Sequence, residues 1–193
     1  GKLSDILLKP PAETKVAFIP TAADTYEDKW FIDADIKKLN ELGFKLTQID
    51  IKDKDENKLR ELLRDFDVIY VAGGNSFYLL EKTYASGFDK VIKELIDKGV
   101  VYVGASAGAV IVCPTIEPIA ELDDPSKAPN LKSYDALNLI NFVILPHYGK
   151  EKYTEKYKRI MDTYKNRGYE MKTLSDQQAI IVEGDNIRMV NTD

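Results

Sequence analysis

The stretch Val100–Val110, VVYVGASAGAV, decides the fold, because an apolar β-rich run passes through small residues directly into a helix-compatible run. Its centre matches the G-x-S-x-G pattern of a nucleophile on a sharp strand-to-helix turn. Small residues fit where strained backbone approaches other segments closely, and the start of the helix aims N–H groups at a developing oxyanion. Ser106 is therefore the candidate nucleophile. The alternative is that the glycines only close a strand-to-helix loop.

The rest of the chain alternates short apolar runs with longer amphipathic stretches. This alternation is typical of a mostly parallel sheet covered by helices on both faces. The 193 residues suit one domain, 1–193, so the sequence predicts a single α/β three-layer sandwich. The predicted strands are 15–20, 44–51, 67–71, 100–103 and 142–145; the predicted helices are 28–42, 54–64, 76–84, 88–98 and 151–167; short strands joined by turns follow over 169–190.

Three of the predicted strands end in residues that suit catalysis. Gly73–Asn75 follow one strand, Ser106 follows the next and His147 follows a third. Ligands of parallel α/β sheets bind beyond the carboxyl ends of the strands, so we expect these residues at one edge, with Ser106 and His147 on neighbouring strands. His147 is the only histidine of the chain and is the candidate general base, since imidazole exchanges protons near neutral pH.

The remaining catalytic groups are an oxyanion hole and an acid that orients His147. Gly74 and Ala107 are the candidate N–H donors, because each lies in a run of small residues beside a strand end. Spacing alone does not select the acid, since triads are defined by geometry. The candidates are Asp176, Glu121 and the pair Asp123–Asp124.

Composition excludes several other classes of protein. The net charge of −5 argues against nucleic-acid and anionic-membrane partners, which require a basic face. The single cysteine, Cys113, excludes an internal disulfide and a multi-cysteine zinc site. No apolar run approaches the length of about 20 residues that spans a bilayer. The expected location is the cytoplasm.

Together these residues resemble the peptidase E (aspartyl dipeptidase) family of serine peptidases. Four stretches carry the resemblance in the order of the family: AFIPTA (17–22), VAGGNSFYLL (71–80), GASAGAVIVCPTIE (104–117) and ILPHY (144–148). The resemblance implies a sheet related to that of the class I glutamine amidotransferases, and the removal of amino-terminal aspartate from short peptides without a metal or other cofactor.

The resemblance also implies roles for single residues. Ser106 would be the nucleophile, His147 the base and Gly74 an oxyanion donor. Asp176 would be the triad acid, with Glu121 as the second choice.

The segment after the histidine, HYGKEKYTEKYKRI (147–160), departs from the family. Family members have a longer loop there, whose arginine helps to hold the substrate aspartate. Asn75, Lys156 and Arg159 are therefore the candidate substrate-binding residues, although a lysine does not reproduce a bidentate arginine contact. The expected partner is a small peptide, with a homodimer as an open possibility. Two alternatives stay open: a hydrolase or amidotransferase-like enzyme acting on a non-peptide acyl compound, and a catalytically silent binding domain.

Overall fold

A computed structural model describes residues 2–191, without the side chains of Lys2 and Asp5. No helix in this range is both long and apolar enough to cross a membrane. The strands are β1 (Lys15–Ile19), β2 (Lys45–Gln48), β3 (Val68–Val71), β4 (Val101–Gly104), β5 (Val143–Leu145), β6 (Met171–Thr173), β7 (Gln178–Glu183) and β8 (Asn186–Asn191); the helices are α1 (Lys2–Ile6), α2 (Trp30–Glu41), α3 (Glu56–Leu63), α4 (Ser76–Ser86), α5 (Phe88–Asp97), α6 (Ala107–Val110) and α7 (Thr154–Tyr164).

A four-stranded parallel sheet in the order β2-β1-β3-β4 forms the centre of the molecule. Ile19 is paired with Val71, and Val71 with Gly104, so three strands end at the same level. The loops that follow these strands therefore meet at one edge. The predicted mostly parallel sheet is confirmed.

Helices cover both faces of this sheet, because alternate residues of a strand point to opposite sides. Ala17 and Ile19 of β1 pack into a buried cluster with side chains of α3, α4 and α5. Val16 and Phe18 pack into a second cluster with side chains of α2. The molecule thus has the three predicted layers.

The strand before His147 differs from the prediction. Within residues 2–191, β5 pairs in parallel with β6 in a separate two-stranded sheet and does not join β4. The backbone N–H of Ile144 donates to Cys113 Sγ at 3.2 Å, so this amide is not free for a neighbouring strand. Phe142, Ile144, Cys113 and Leu174 pack together and hold β5 against the segment that follows α6.

The carboxyl-terminal part agrees with the prediction in outline. The helix predicted over 151–167 is divided into a 3-10 turn, Glu151–Tyr153, and α7. Strands β7 and β8 form an antiparallel hairpin, as expected from short strands joined by turns.

Candidate active site

Ser106 lies on the sharp turn between β4 and α6 and has the backbone angles φ 48° and ψ −106°. A side chain other than glycine rarely adopts a positive φ, so surrounding contacts must hold it. One is the 2.9 Å hydrogen bond from the N–H of Ala105 to the carbonyl of Val71. Another is the close approach of α6 to β3: a Cβ at Gly108 would lie 2.1 Å from the Val71 carbonyl oxygen.

His147 directly contacts the candidate nucleophile, since its Nε2 lies 2.8 Å from Ser106 Oγ. It follows β5 by two residues and has a φ of 65°. The next residue, Tyr148, donates its N–H to the Leu174 carbonyl at 2.8 Å. This bond between the segments after β5 and β6 fixes the backbone that carries the imidazole.

Asp176 occupies the other side of the imidazole, with its Oδ1 2.7 Å from His147 Nδ1. An ionised carboxylate only accepts hydrogen bonds, so Nδ1 carries the proton and Nε2 accepts from the Ser106 hydroxyl. This is the tautomer in which a histidine can act as a base toward a serine.

Lys150 contacts the second oxygen of the same carboxylate, with 2.5 Å between its Nζ and Asp176 Oδ2. Partial burial alone would raise the pKa of Asp176, but hydrogen bonds from Lys150 and His147 lower this pKa overall. The carboxylate therefore stays ionised across the physiological pH range. Sequence reasoning missed Lys150, and its position three residues after His147 was the only signal that could have found it.

The other candidate acids contact other groups. Glu121 Oε2 accepts a hydrogen bond from Arg159 Nε at 2.9 Å. A residue predicted as a possible acid is thus paired with a residue predicted to bind substrate. Asp123 accepts from the N–H of Ser76 at 2.8 Å. Asp124 accepts from the N–H of Ser126 at 2.9 Å. Of the four carboxylates named from the sequence, only Asp176 hydrogen-bonds to His147.

The glycine loop lies beside the serine, because a Cβ added to Gly73 would lie 3.3 Å from Ser106 Cβ. Gly74 has a φ of 147°, and a Cβ there would lie 2.1 Å from the Ala22 carbonyl oxygen. Within residues 2–191, neither the Gly74 nor the Ala107 N–H donates a hydrogen bond to another protein group. Neither of these two amides is therefore occupied by a protein acceptor in the described part of the chain.

Asn75 has a role different from the expected substrate contact. Its side chain caps α4 by accepting from the N–H of Tyr78 at 2.9 Å and donates to the Asp124 carbonyl at 3.0 Å. The residue is 3% exposed, and these two hydrogen bonds connect the glycine loop to α4 and to the segment around Asp124.

Cys113 and metal binding offer no second catalytic centre in the described part of the chain. Burial raises the pKa of Cys113 to about 12, which keeps its sulfur a thiol at neutral pH. Residues 2–191 contain no cluster of three or more His, Cys, Asp or Glu side chains placed to hold a metal ion.

Serine hydrolases have this arrangement, in which a serine hydroxyl is hydrogen-bonded to a histidine and the histidine is hydrogen-bonded to an aspartate. The sequence model of Peptidase family S51 matches residues 2–190, and the chain belongs to this family. The chain is therefore a peptidase of the serine hydrolase class.

Relatives with names and structures agree with this assignment. The chain is 38% identical over 172 residues to an uncharacterized peptidase of Listeria innocua, covering 89% of this chain and 82% of the relative. It is 31% identical over 134 residues to Peptidase E of a Nostoc species, covering 69% of this chain and 52% of the relative. The crystal structure of a candidate Peptidase E protein from Listeria monocytogenes EGD-e has a TM-score of 0.91 at 35% identity, covering 100% of this chain and 92% of that one.

The packing of Gly74 predicts a strong effect of a single methyl group. We expect Gly74→Ala to lower the free energy of unfolding by more than about 2 kcal/mol, because the new Cβ collides with the Ala22 carbonyl. Gly99→Ala is the matched control, since Gly99 has a φ of 88° but no atom within 4 Å of the added Cβ. It should cost about 1 kcal/mol. Urea denaturation measures both, and equal losses would contradict the proposed close approach.

The contact of Lys150 with Asp176 predicts a pKa change. Lys150→Met should raise the pKa of Asp176, whereas the exposed Lys152→Met should leave it unchanged. The measurement is a ¹³C NMR titration of the carboxyl carbon, assigned with Asp176→Asn. The pKa of Asp176 is lower in the folded protein than in the unfolded chain. The contact with Lys150 therefore stabilises the fold fully above the pKa of the unfolded chain, and this stabilisation is lost as the pH falls through the pKa of Asp176 in the folded protein. An identical titration curve in Lys150→Met would show that the contact is not formed.

Proposed function

We propose that this chain hydrolyses short peptides through a covalent acyl-enzyme, with Ser106 as nucleophile, His147 as general base and Asp176 as the orienting acid. The observation that carries the proposal is the continuous series of hydrogen bonds, 2.8 Å from Ser106 to His147 and 2.7 Å from His147 to Asp176. Membership in Peptidase family S51 supports peptide hydrolysis as the reaction.

We infer the steps of the reaction from this geometry and from the general chemistry of serine hydrolases. Ser106 Oγ attacks the peptide carbonyl carbon while its proton moves to His147 Nε2, and the Asp176 carboxylate stabilises the resulting imidazolium. The oxyanion accepts hydrogen bonds from the N–H groups of Gly74 and Ala107. One such donor typically contributes about 10²–10³-fold in rate.

The second half of the reaction restores the enzyme. When the C–N bond breaks, His147 gives its proton to the leaving amine. Water then attacks the acyl-enzyme while His147 takes a proton from it, and that proton returns to Ser106 Oγ as the acid product leaves.

The proposed substrate is a short peptide with a free amino terminus and an acidic first residue. Relatives named Peptidase E support a peptide as the substrate. The acidic first residue is what the resemblance to the aspartyl dipeptidase family implies. Arg159 is paired with Glu121, so we propose Lys156 alone as the positive group for an acidic side chain. Its Nζ lies 5.9 Å from the centroid of the Tyr153 ring, which in turn lies 6.1 Å from that of His147.

The nucleophile is tested with an aspartyl anilide, a dipeptide panel and a fluorophosphonate probe. Ser106→Ala should lose at least about 10³-fold in kcat/KM and should not react with the probe. Ser126→Ala is the matched control and should behave as the native protein, since Ser126 is an exposed serine in the short 3-10 helix Pro125–Lys127. Equal hydrolysis or labelling by native protein and Ser106→Ala would exclude the proposal. Hydrolysis of acyl esters but of no peptide would instead favour a non-peptide acyl hydrolase.

The acid is tested by comparing two carboxylate-to-amide changes. Asp176→Asn should lower kcat by about 10²–10⁴-fold, because the amide no longer stabilises the required tautomer and imidazolium. Glu121→Gln should change kcat by no more than about threefold, since Glu121 bonds to Arg159 and not to His147. The reverse order of effects would assign the acid to Glu121.

A further inference from the structure

Asp123 is held beside the glycine loop by two contacts that the proposed mechanism does not use. Its Oδ2 accepts from the backbone N–H of Ser76 at 2.8 Å. Its neighbour Asp124 accepts at its carbonyl from Asn75 Nδ2 at 3.0 Å. Asn75 and Ser76 directly follow Gly74, whose N–H is a proposed oxyanion donor. The Asp123 carboxylate is therefore tied to the segment that borders the reacting carbonyl.

This carboxylate is partly buried and has no cationic partner. Among the described side chains, no Lys, Arg or His nitrogen lies within ion-pair distance of it, whereas Asp24, Glu81 and Asp176 each have a lysine partner. Burial raises the pKa of Asp123, while hydrogen bonding from Ser76 and the charges of His147 and Lys156 oppose this rise. A desolvated carboxylate without a partner is costly, and a bound cation would remove that cost.

The surroundings of Asp123 are those of the catalytic histidine. The fields of His147 and Lys156 both reach it. Asp123 also acts on Tyr26. Burial is the largest cause that raises the pKa of Tyr26, and the charges of Asp123 and Tyr153 raise it further. Tyr26 is 42% exposed and Asp123 is partly exposed, so the carboxylate is not completely shielded from solvent.

We propose that Asp123 binds the α-ammonium group of the substrate and so restricts the enzyme to cleavage after the first residue of a peptide. The inference rests on the proposed function and assigns it a specificity-determining residue. In such a peptide the α-nitrogen is two bonds from the scissile carbonyl carbon. An acceptor for it must therefore lie next to the loop that binds the oxyanion, which is where Asp123 is fixed.

The two charged groups proposed for the site match an amino-terminal acidic residue. Asp123 offers a negative group for the ammonium, and Lys156 offers a positive group for the acidic side chain. A peptide with a blocked amine would leave Asp123 partly buried without a partner. Sites of this kind strongly reject analogues that lack the group to which the protein hydrogen-bonds.

The competing explanation is that Asp123 only accepts the first free N–H of α4. Asp123→Asn separates the two roles, because its side-chain oxygen still accepts from Ser76 while the negative charge is lost. Glu155→Gln is the matched control: it removes one negative charge next to Lys156, at an exposed position of α7. Circular dichroism and thermal unfolding establish that both variants fold.

The substrates are aspartic acid α-anilide and succinic acid monoanilide, which differ only in the α-amino group. Native protein and Glu155→Gln should prefer the amino compound in kcat/KM by about 10²-fold or more, and Asp123→Asn should reduce this preference at least about tenfold. An unchanged preference in Asp123→Asn, with hydrolysis retained, would overturn the role of Asp123 and leave the proposed function intact.

A binding measurement makes the test independent of catalysis. In the Ser106→Ala background, calorimetry compares aspartic acid α-amide with succinamic acid. The proposal requires the α-amide to bind at least about tenfold more tightly, and Asp123→Asn to abolish this difference. Equal binding of both compounds before Asp123 is changed would overturn the inference, whether or not the native protein hydrolyses peptides.

Discussion

The close contact between α6 and β3 is the constraint on which the site depends. Gly108 lies so near the Val71 carbonyl that no side chain fits between them. A Cβ at Gly104 would likewise lie 2.5 Å from the Gly108 carbonyl carbon. Only hydrogen atoms at these two positions let the chain reverse direction within the few residues around Ser106, and the reversal sets the positive φ that presents its hydroxyl. The packing of α6 against the parallel sheet keeps the strained backbone of Ser106 in this conformation.

The same kind of contact recurs one strand away, where Gly74 lies against the Ala22 carbonyl. Asn75 donates its N–H to that carbonyl at 2.9 Å and caps α4 with its side chain. The glycine loop is thus fixed to the ends of both β1 and β3. A loop fixed in this way keeps its backbone in one conformation, which is the condition for a preorganised hydrogen-bond donor.

The sequence was most informative where local chemistry determines structure. Apolar runs ending in glycine or serine predicted the parallel sheet, because the direction of parallel strands alone aligns their ends. His147 meets Ser106 for another reason, since β5 pairs with β6 outside this sheet and packs against the segment after α6. The role of Asn75 was also encoded locally, since asparagine followed by helix formers is a common cap, but its position after two glycines suggested a ligand contact instead. Contacts between distant segments had no such local signal. The bond of Ile144 to Cys113, which keeps β5 out of the main sheet, depends on how the segment after α6 packs.

Long polar side chains were the least predictable part of the site. Lys150, Lys156 and Arg159 lie within ten residues of one another and were equivalent as sources of positive charge. Their ends reach different partners: Lys150 contacts Asp176, and Arg159 contacts Glu121. Which carboxylate a flexible cation reaches is decided by the fold of other segments, so composition could show only that positive charge was present.

The two aspartates near His147 show how environment separates chemically identical groups. Asp176 contacts both Lys150 and His147, and its pKa is lowered despite partial burial. Asp123 lacks such a partner, and burial raises its pKa. Opposite shifts in one site are the usual sign of different tasks. A carboxylate already neutralised by protein cations is suited to orienting the imidazole through every step. A carboxylate left without a cation is suited to binding one that arrives with the substrate.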